Sequence, residues 1–91
     1  MKFEWNPEKA RENYRKHGVE MEDGIPVFND PLGINRFDSD HSDDEERFNL
    51  IGFGNKVLLF VTYTAPTDEV IRLISVRPAD GIEKGWYYEE E

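Results

Sequence analysis

"KVLLFVTYTAPTDEVIRLISVR", residues 56–77, decides the fold class of this chain. Its first part, KVLLFVTYT, is apolar on both sides through its middle, the pattern of a strand covered on both faces. APTD, residues 65–68, breaks that run, and EVIRLISVR resumes as a second strand. Just upstream, RFNLIGFG at 47–54 alternates loosely, and the glycines of GFGN at 52–55 mark a hairpin turn. Such short connections favour an antiparallel meander. LGINRFD at 32–38 is a fourth, shorter strand candidate, so the spacing predicts three or four antiparallel strands.

Helices flank this sheet. In NPEKARENYRKHG, residues 6–18, Asn6 suits the N-cap and Pro7 the first helical position. Arg15, Lys16 and His17 fill the last turn, and Gly18 can turn left-handed just beyond it. Ala10, Tyr14 and His17 share one face by their spacing, which predicts that His17 points toward the sheet. Lys9, Asn13 and Lys16 form the neighbouring stripe. EMEDGIPVFNDP, residues 20–31, repeats apolar side chains at Met21, Ile25 and Phe28, but Gly24 and Pro26 oppose a regular helix. A short or distorted second helix ending before Asp30-Pro31 is expected. At the other end, Asp80 and Glu83 have capping-box spacing in DGIEKGWYYEE, where Gly81 and Gly85 lower helix propensity. KFEW at 2–5 reads as a short strand or an extended lead-in. The expected architecture is α+β: two N-terminal helices, a three- to four-stranded antiparallel sheet and a C-terminal helix.

Ninety-one residues suffice for one domain with a single layer of helices on a sheet. The chain has no cysteine, which excludes a disulfide framework, a zinc knuckle and a thiol nucleophile. No apolar run is long enough for a membrane span and no leader is evident, so a cytoplasmic protein is expected. A net charge of −9 argues against a free-standing nucleic-acid binder. That charge is unevenly spread, however. Residues 1–18 carry five basic and three acidic side chains, whereas residues 19–46 carry one basic and ten acidic. The first helix is therefore locally basic, and the acidic segment could serve as a docking surface for a basic partner.

Few side chains suggest chemistry. His17 is ordinarily explained as a helix-terminal residue that interacts with the last carbonyls, and its functional alternative is a proton carrier beside Lys16. Arg47, Arg72 and Arg77 form a second group. Arg72 lies among apolar neighbours in VIRLIS, where a guanidinium needs a carboxylate or a phosphate. On a regular strand Arg72 and Arg77 face opposite ways, and only a bulge would bring both to one site. DSDHSDDEER at 38–47 begins like a calcium loop but lacks the glycine and glutamate such a loop requires, so a solvated acidic loop is expected.

Taken in order, these segments resemble the BrnT family, the toxin half of a bacterial type II toxin–antitoxin pair. The resemblance rests on Phe3, Trp5 and Asn6, and on Lys9, Ala10, Asn13, Lys16, His17 and Gly18 in the first helix. It continues through Val27, Phe28, Asp30 and Pro31, then Glu45 and Arg47, and ends on Arg72, Ile74, Ser75 and Arg77. It departs from the family pattern at Thr64–Thr67, where an arginine is usual, and after Arg77, where a basic tail is usual.

The resemblance implies a single toxin domain over residues 1–91, a fold similar to the RelE-type toxins, and RNA cleavage with neither metal nor cofactor. From side-chain chemistry, His17 would carry the proton, Arg47, Arg72 and Arg77 would clamp the phosphate, and Lys9 and Lys16 would guide the RNA backbone. The implied partner is a ribbon-helix-helix antitoxin of the BrnA kind, which would hold two toxin copies and bind the operon's promoter. DNA would thus be met only through the antitoxin, and no membrane is involved. The alternative is a catalytically degenerate, non-enzymatic binding module on the same fold.

Overall fold

The computed structural model describes residues 1–89. Strands β1 (Lys2–Glu4), β2 (Ile34–Phe37), β3 (Phe48–Gly54), β4 (Val57–Thr67) and β5 (Val70–Pro78) form one sheet in the order β1-β5-β4-β3-β2. Four of them are antiparallel neighbours, as the hairpin signals predict. The fifth, β1, runs parallel to β5, with Lys2 opposite Val70 and Glu4 opposite Arg72. The expectation of three or four antiparallel strands is corrected on this point. A three-residue strand is too short to show an alternation in sequence, and its partner lies some seventy positions away.

Helix α1 (Pro7–His17) begins where expected, the Asn6 side chain accepting from the Glu8 and Lys9 N–H groups at 2.8 and 3.2 Å. It ends at Gly18, whose φ of 67° is left-handed. The second helical segment, Met21–Asn29, is a 3-10 helix rather than an α-helix. Pro26 lies inside it, and Gly24 faces a tight spot: a Cβ there would sit 2.8 Å from the Val76 side chain. The close approach packs Met21 and Val27 against the sheet with no exposed surface. Helix α2 (Gly81–Glu89) forms despite its glycines. Asp80 and Glu83 exchange side chain–backbone hydrogen bonds at 2.9 Å, the reciprocal cap their spacing predicts.

Each face of the sheet has its own core. Leu50, Leu59, Val61, Tyr63, Leu73 and Val76 pack beneath α1 and the 3-10 helix. Ile51, Leu58, Phe53 and Phe60 pack on the other face with Tyr87 and Trp86 of α2. The middle of β4 is therefore covered on both sides. Helix α2 reaches only one end of its face, and Arg72 on the remainder keeps 45% of its side chain exposed.

The face by which α1 docks differs from the one its apolar spacing suggests. Tyr14 is 54% exposed and His17 is exposed, whereas Asn13 is 5% exposed and Ala10 packs on the core. The reason lies at the edge of β5. Because β1 pairs only with residues 70–72, the Val76 backbone needs another partner, and the Asn13 amide supplies it. Asn13 donates to the Val76 and Val19 carbonyls at 2.7 and 3.0 Å and accepts from the Val76 N–H at 3.0 Å. One side chain thus continues the strand pairing and ties down the chain after α1.

Asp30 plays a similar part on the other side. Its carboxylate accepts from the Leu32 and Phe53 N–H groups and from the Tyr87 hydroxyl, at 3.0, 2.8 and 2.7 Å. Burial alone would raise its pKa, but these hydrogen bonds outweigh it and hold the group below the usual carboxylate range. A carboxylate depressed in the folded state stabilises the protein above its unfolded pKa of about 4, and that contribution is lost as pH falls through the lower folded value. Asp30→Asn should lower stability at pH 7 by about 1–2 kcal/mol and flatten the decline below about pH 4. Denaturant titrations between pH 2 and 7 read this directly; an unchanged acid limb would contradict it. Some slope should survive, because Asp38 is also held low: burial raises its pKa, but His41 and Asn49 bind its carboxylate more strongly.

Candidate functional site

A β-bulge arranges the cationic side chains. Thr62 pairs with Ser75 and Tyr63 with Leu73, leaving Ile74 as an extra residue in β5. Leu73 and Val76 both point into the core under α1, so Arg72 and Arg77 fall on the opposite face together. They do not meet. Arg72 pairs across from Thr64 and Arg77 across from Phe60, about 13 Å apart along the strand at ~3.3 Å per residue.

Arg77 belongs to the α2 end. Its guanidinium grips both oxygens of the buried Glu83 at 2.8 and 2.6 Å and stacks 4.2 Å above the Phe60 ring. Glu83 holds its pKa above the ordinary arginine value. This arginine staples α2 to the sheet and does not line the cleft described next. The phosphate role expected of Arg77 meets a guanidinium already engaged by Glu83, an engagement that depends on where α2 docks.

Arg72 and Arg47 do converge. They line a cleft of about 520 Å³ together with Lys9, Asn6, Glu4 and Glu45. Trp5, Leu73 and Ile74 also line it. Each cationic group arrives on a different element: Arg72 on β5, Arg47 at the entry to β3, Lys9 in the first turn of α1. The positive end of the α1 dipole therefore adds to the same place.

The two arginines are held differently. Arg72 donates its Nε–H to Glu4 at 2.7 Å, and its Nη1 lies 3.8 Å from a Glu45 oxygen. Arg47 is pinned by its backbone, the N–H donating to Ser42 Oγ at 3.0 Å and the carbonyl accepting from the Asp38 N–H at 2.8 Å. The Arg47 guanidinium makes no hydrogen bond and no ion pair among the described residues, although its Nε is buried. In a chain with twenty acidic side chains, an unpaired buried donor on a cation is informative.

His17 and Lys16 line a shallower depression of about 180 Å³ with Glu12, Asn13 and Ser75. Lys9 and Ile74 border both depressions, so the two adjoin. His17 lies eight residues beyond Lys9, about 12 Å along the helix axis at ~1.5 Å per residue. It is thus separate from the pair of arginines. The acidic segment folds over a short 3-10 turn, Ser39–His41, in which the His41 ring bonds the Asp38 carboxylate at 3.0 Å. Among the described residues no three His, Cys, Asp or Glu side chains gather to hold a metal ion.

Glu4 in the cleft was not singled out in the sequence, because no motif marks a strand-end carboxylate, and Trp5 entered only through the family resemblance. For Glu45 a signal existed, its position two residues before Arg47.

The model for BrnT, the ribonuclease toxin of a type II toxin–antitoxin system, matches residues 5–83. This chain belongs to the BrnT family. The matched span holds Arg47, Arg72, Lys9 and His17, and every residue lining the two depressions except Glu4. The crystal structure of the Brucella abortus BrnT ribonuclease toxin superposes with a TM-score of 0.68 at 26% identity, covering 88% of this chain and 97% of that one. A comparison with curated proteins finds no match. Membership of a BrnT toxin–antitoxin family implies an antitoxin partner. No helix among the described residues is long and apolar enough to cross a membrane.

Proposed function

We propose that this BrnT chain cleaves RNA in the cytoplasm by a metal-independent reaction, slows translation as a result, and is neutralised by a ribbon-helix-helix antitoxin. The observation that carries this reading is the unpaired Arg47 guanidinium beside Arg72 and Lys9. Planar guanidinium groups, one on β5 and one at the entry to β3, suit the two non-bridging oxygens of one phosphodiester, and they stabilise the charge that grows there as phosphorus becomes five-coordinate. Lys9 and the amino end of α1 add a third positive contact. Lys16 and His17, about 10–12 Å further along α1, hold a neighbouring stretch of the same RNA backbone. Contact with DNA runs through the antitoxin.

The test is cleavage of single-stranded RNA by the purified chain in excess chelator. Cutting should persist there and should fall about sevenfold between 50 and 200 mM salt, as two neutralised phosphates, one on the arginines and one beside Lys16, require on a single strand. Stable binding to the antitoxin without any cleavage would instead establish a non-catalytic module.

A further inference from the structure

A phosphate clamp does not by itself cut RNA. Something must take the proton from the 2′-hydroxyl, and it must sit within hydrogen-bond reach of a sugar whose phosphate lies on Arg47 and Arg72. Lys9 is a cation and cannot accept. His17 lies in the neighbouring depression, about 12 Å away along α1. Two carboxylates remain in the cleft, Glu4 and Glu45.

They differ in how far they are already committed. Glu4 accepts a charge-assisted hydrogen bond from Arg72 Nε at 2.7 Å, and its strand β1 is fixed by pairing to β5. Glu45 stands 3.8 Å from Arg72 Nη1, too far for a hydrogen bond, with 40% of its side chain exposed. Its carboxylate makes no hydrogen bond among the described residues. It also sits two residues before Arg47 on a backbone pinned at Arg47 by Ser42 and Asp38, so base and clamp are placed by one segment.

We infer that Glu45 is the general base of the reaction, an inference that rests on the ribonuclease reading above. The 2′-hydroxyl proton passes to the Glu45 carboxylate while the 2′-oxygen forms a bond to phosphorus. Arg47 and Arg72 hold the non-bridging oxygens. The bond from phosphorus to the 5′-oxygen breaks, and the leaving oxygen takes a proton from water. Glu45 then releases its proton to the hydroxide so formed. The products are a 2′,3′-cyclic phosphate and a 5′-hydroxyl, with no change in the number of protons or electrons.

Glu45→Gln keeps the side chain's size and removes its basicity. Under saturating RNA the cleavage rate should drop about 100- to 10,000-fold, while RNA binding stays equal or tightens with one negative charge fewer. Glu46→Gln, next door but not in the cleft, should cut like the parent. A Glu45→Gln protein that cuts within threefold of the parent, or that loses activity through weaker binding, would overturn the assignment. The outcomes separate the two levels: cleavage that needs Arg47 but not Glu45 defeats the base alone, whereas a parent that cuts no RNA defeats both.

Discussion

Asn13→Ala is expected to lower the stability of this protein by about 3–4 kcal/mol and its melting temperature by more than about 12 °C. The substitution removes an amide that is 5% exposed and makes three backbone hydrogen bonds. Alanine is the better helix former, and that gain of well under 1 kcal/mol works against the effect. It cannot offset it, because the Val76 N–H, the Val76 carbonyl and the Val19 carbonyl all lose their partner in a place water reaches poorly. Asn13→Asp sharpens the test. A carboxylate can still accept from Val76 N–H, but it would face two carbonyl oxygens with no hydrogen to offer, so it should not rescue. Equilibrium unfolding in denaturant measures both variants, and a loss below 1 kcal/mol for alanine would show that β5 does not depend on this side chain.

The second large effect is on cleavage. Arg47→Ala should lower the rate on RNA by about 100- to 1,000-fold, as expected when a preorganised donor to developing charge is removed. Stability should move the other way or not at all. The Arg47 guanidinium has a buried Nε with no partner, so the empty protein carries a desolvation cost that alanine relieves. A variant that loses activity while holding or gaining stability marks a residue kept for its ligand. Arg47→Lys should not restore the rate, since an ammonium lacks the planar pair of donors. Single-turnover cleavage with denaturant unfolding on the same samples decides the matter; equal losses in both would mean that Arg47 is structural.

Arg77 shows how little sequence alone says about which groups an arginine of the sheet will meet. The sequence sets Arg72 inside a strand among apolar neighbours and Arg77 at that strand's end. Both lie on the same face because Ile74 is a bulge, an arrangement that the alternation pattern forbids and local sequence does not announce. They part company only because Glu83 is carried to Arg77 by α2, while Arg72 is met by Glu4 and Glu45. His17 is a parallel case. Its helix was legible to the residue, yet the docking face of that helix was not, because the apolar stripe through Tyr14 lost to a buried amide at Asn13. A hydrogen-bonding need at a distant strand edge outweighed local amphipathicity.

What residues 1–91 determined by themselves was local: the capped first helix, the three long strands, the capping box at Asp80 and Glu83, and the ordered motifs of the BrnT family. These follow from short-range preferences of caps, turns and alternation, which act within a few residues. The tertiary structure alone decided the parallel strand β1, the 3-10 form of Met21–Asn29, the bulge at Ile74 and the choice of Arg47 and Arg72 over Arg77 as neighbours in one cleft. Each of those outcomes depends on which groups meet across dozens of residues, and contact at that range is set by packing and by the need to pair buried polar atoms.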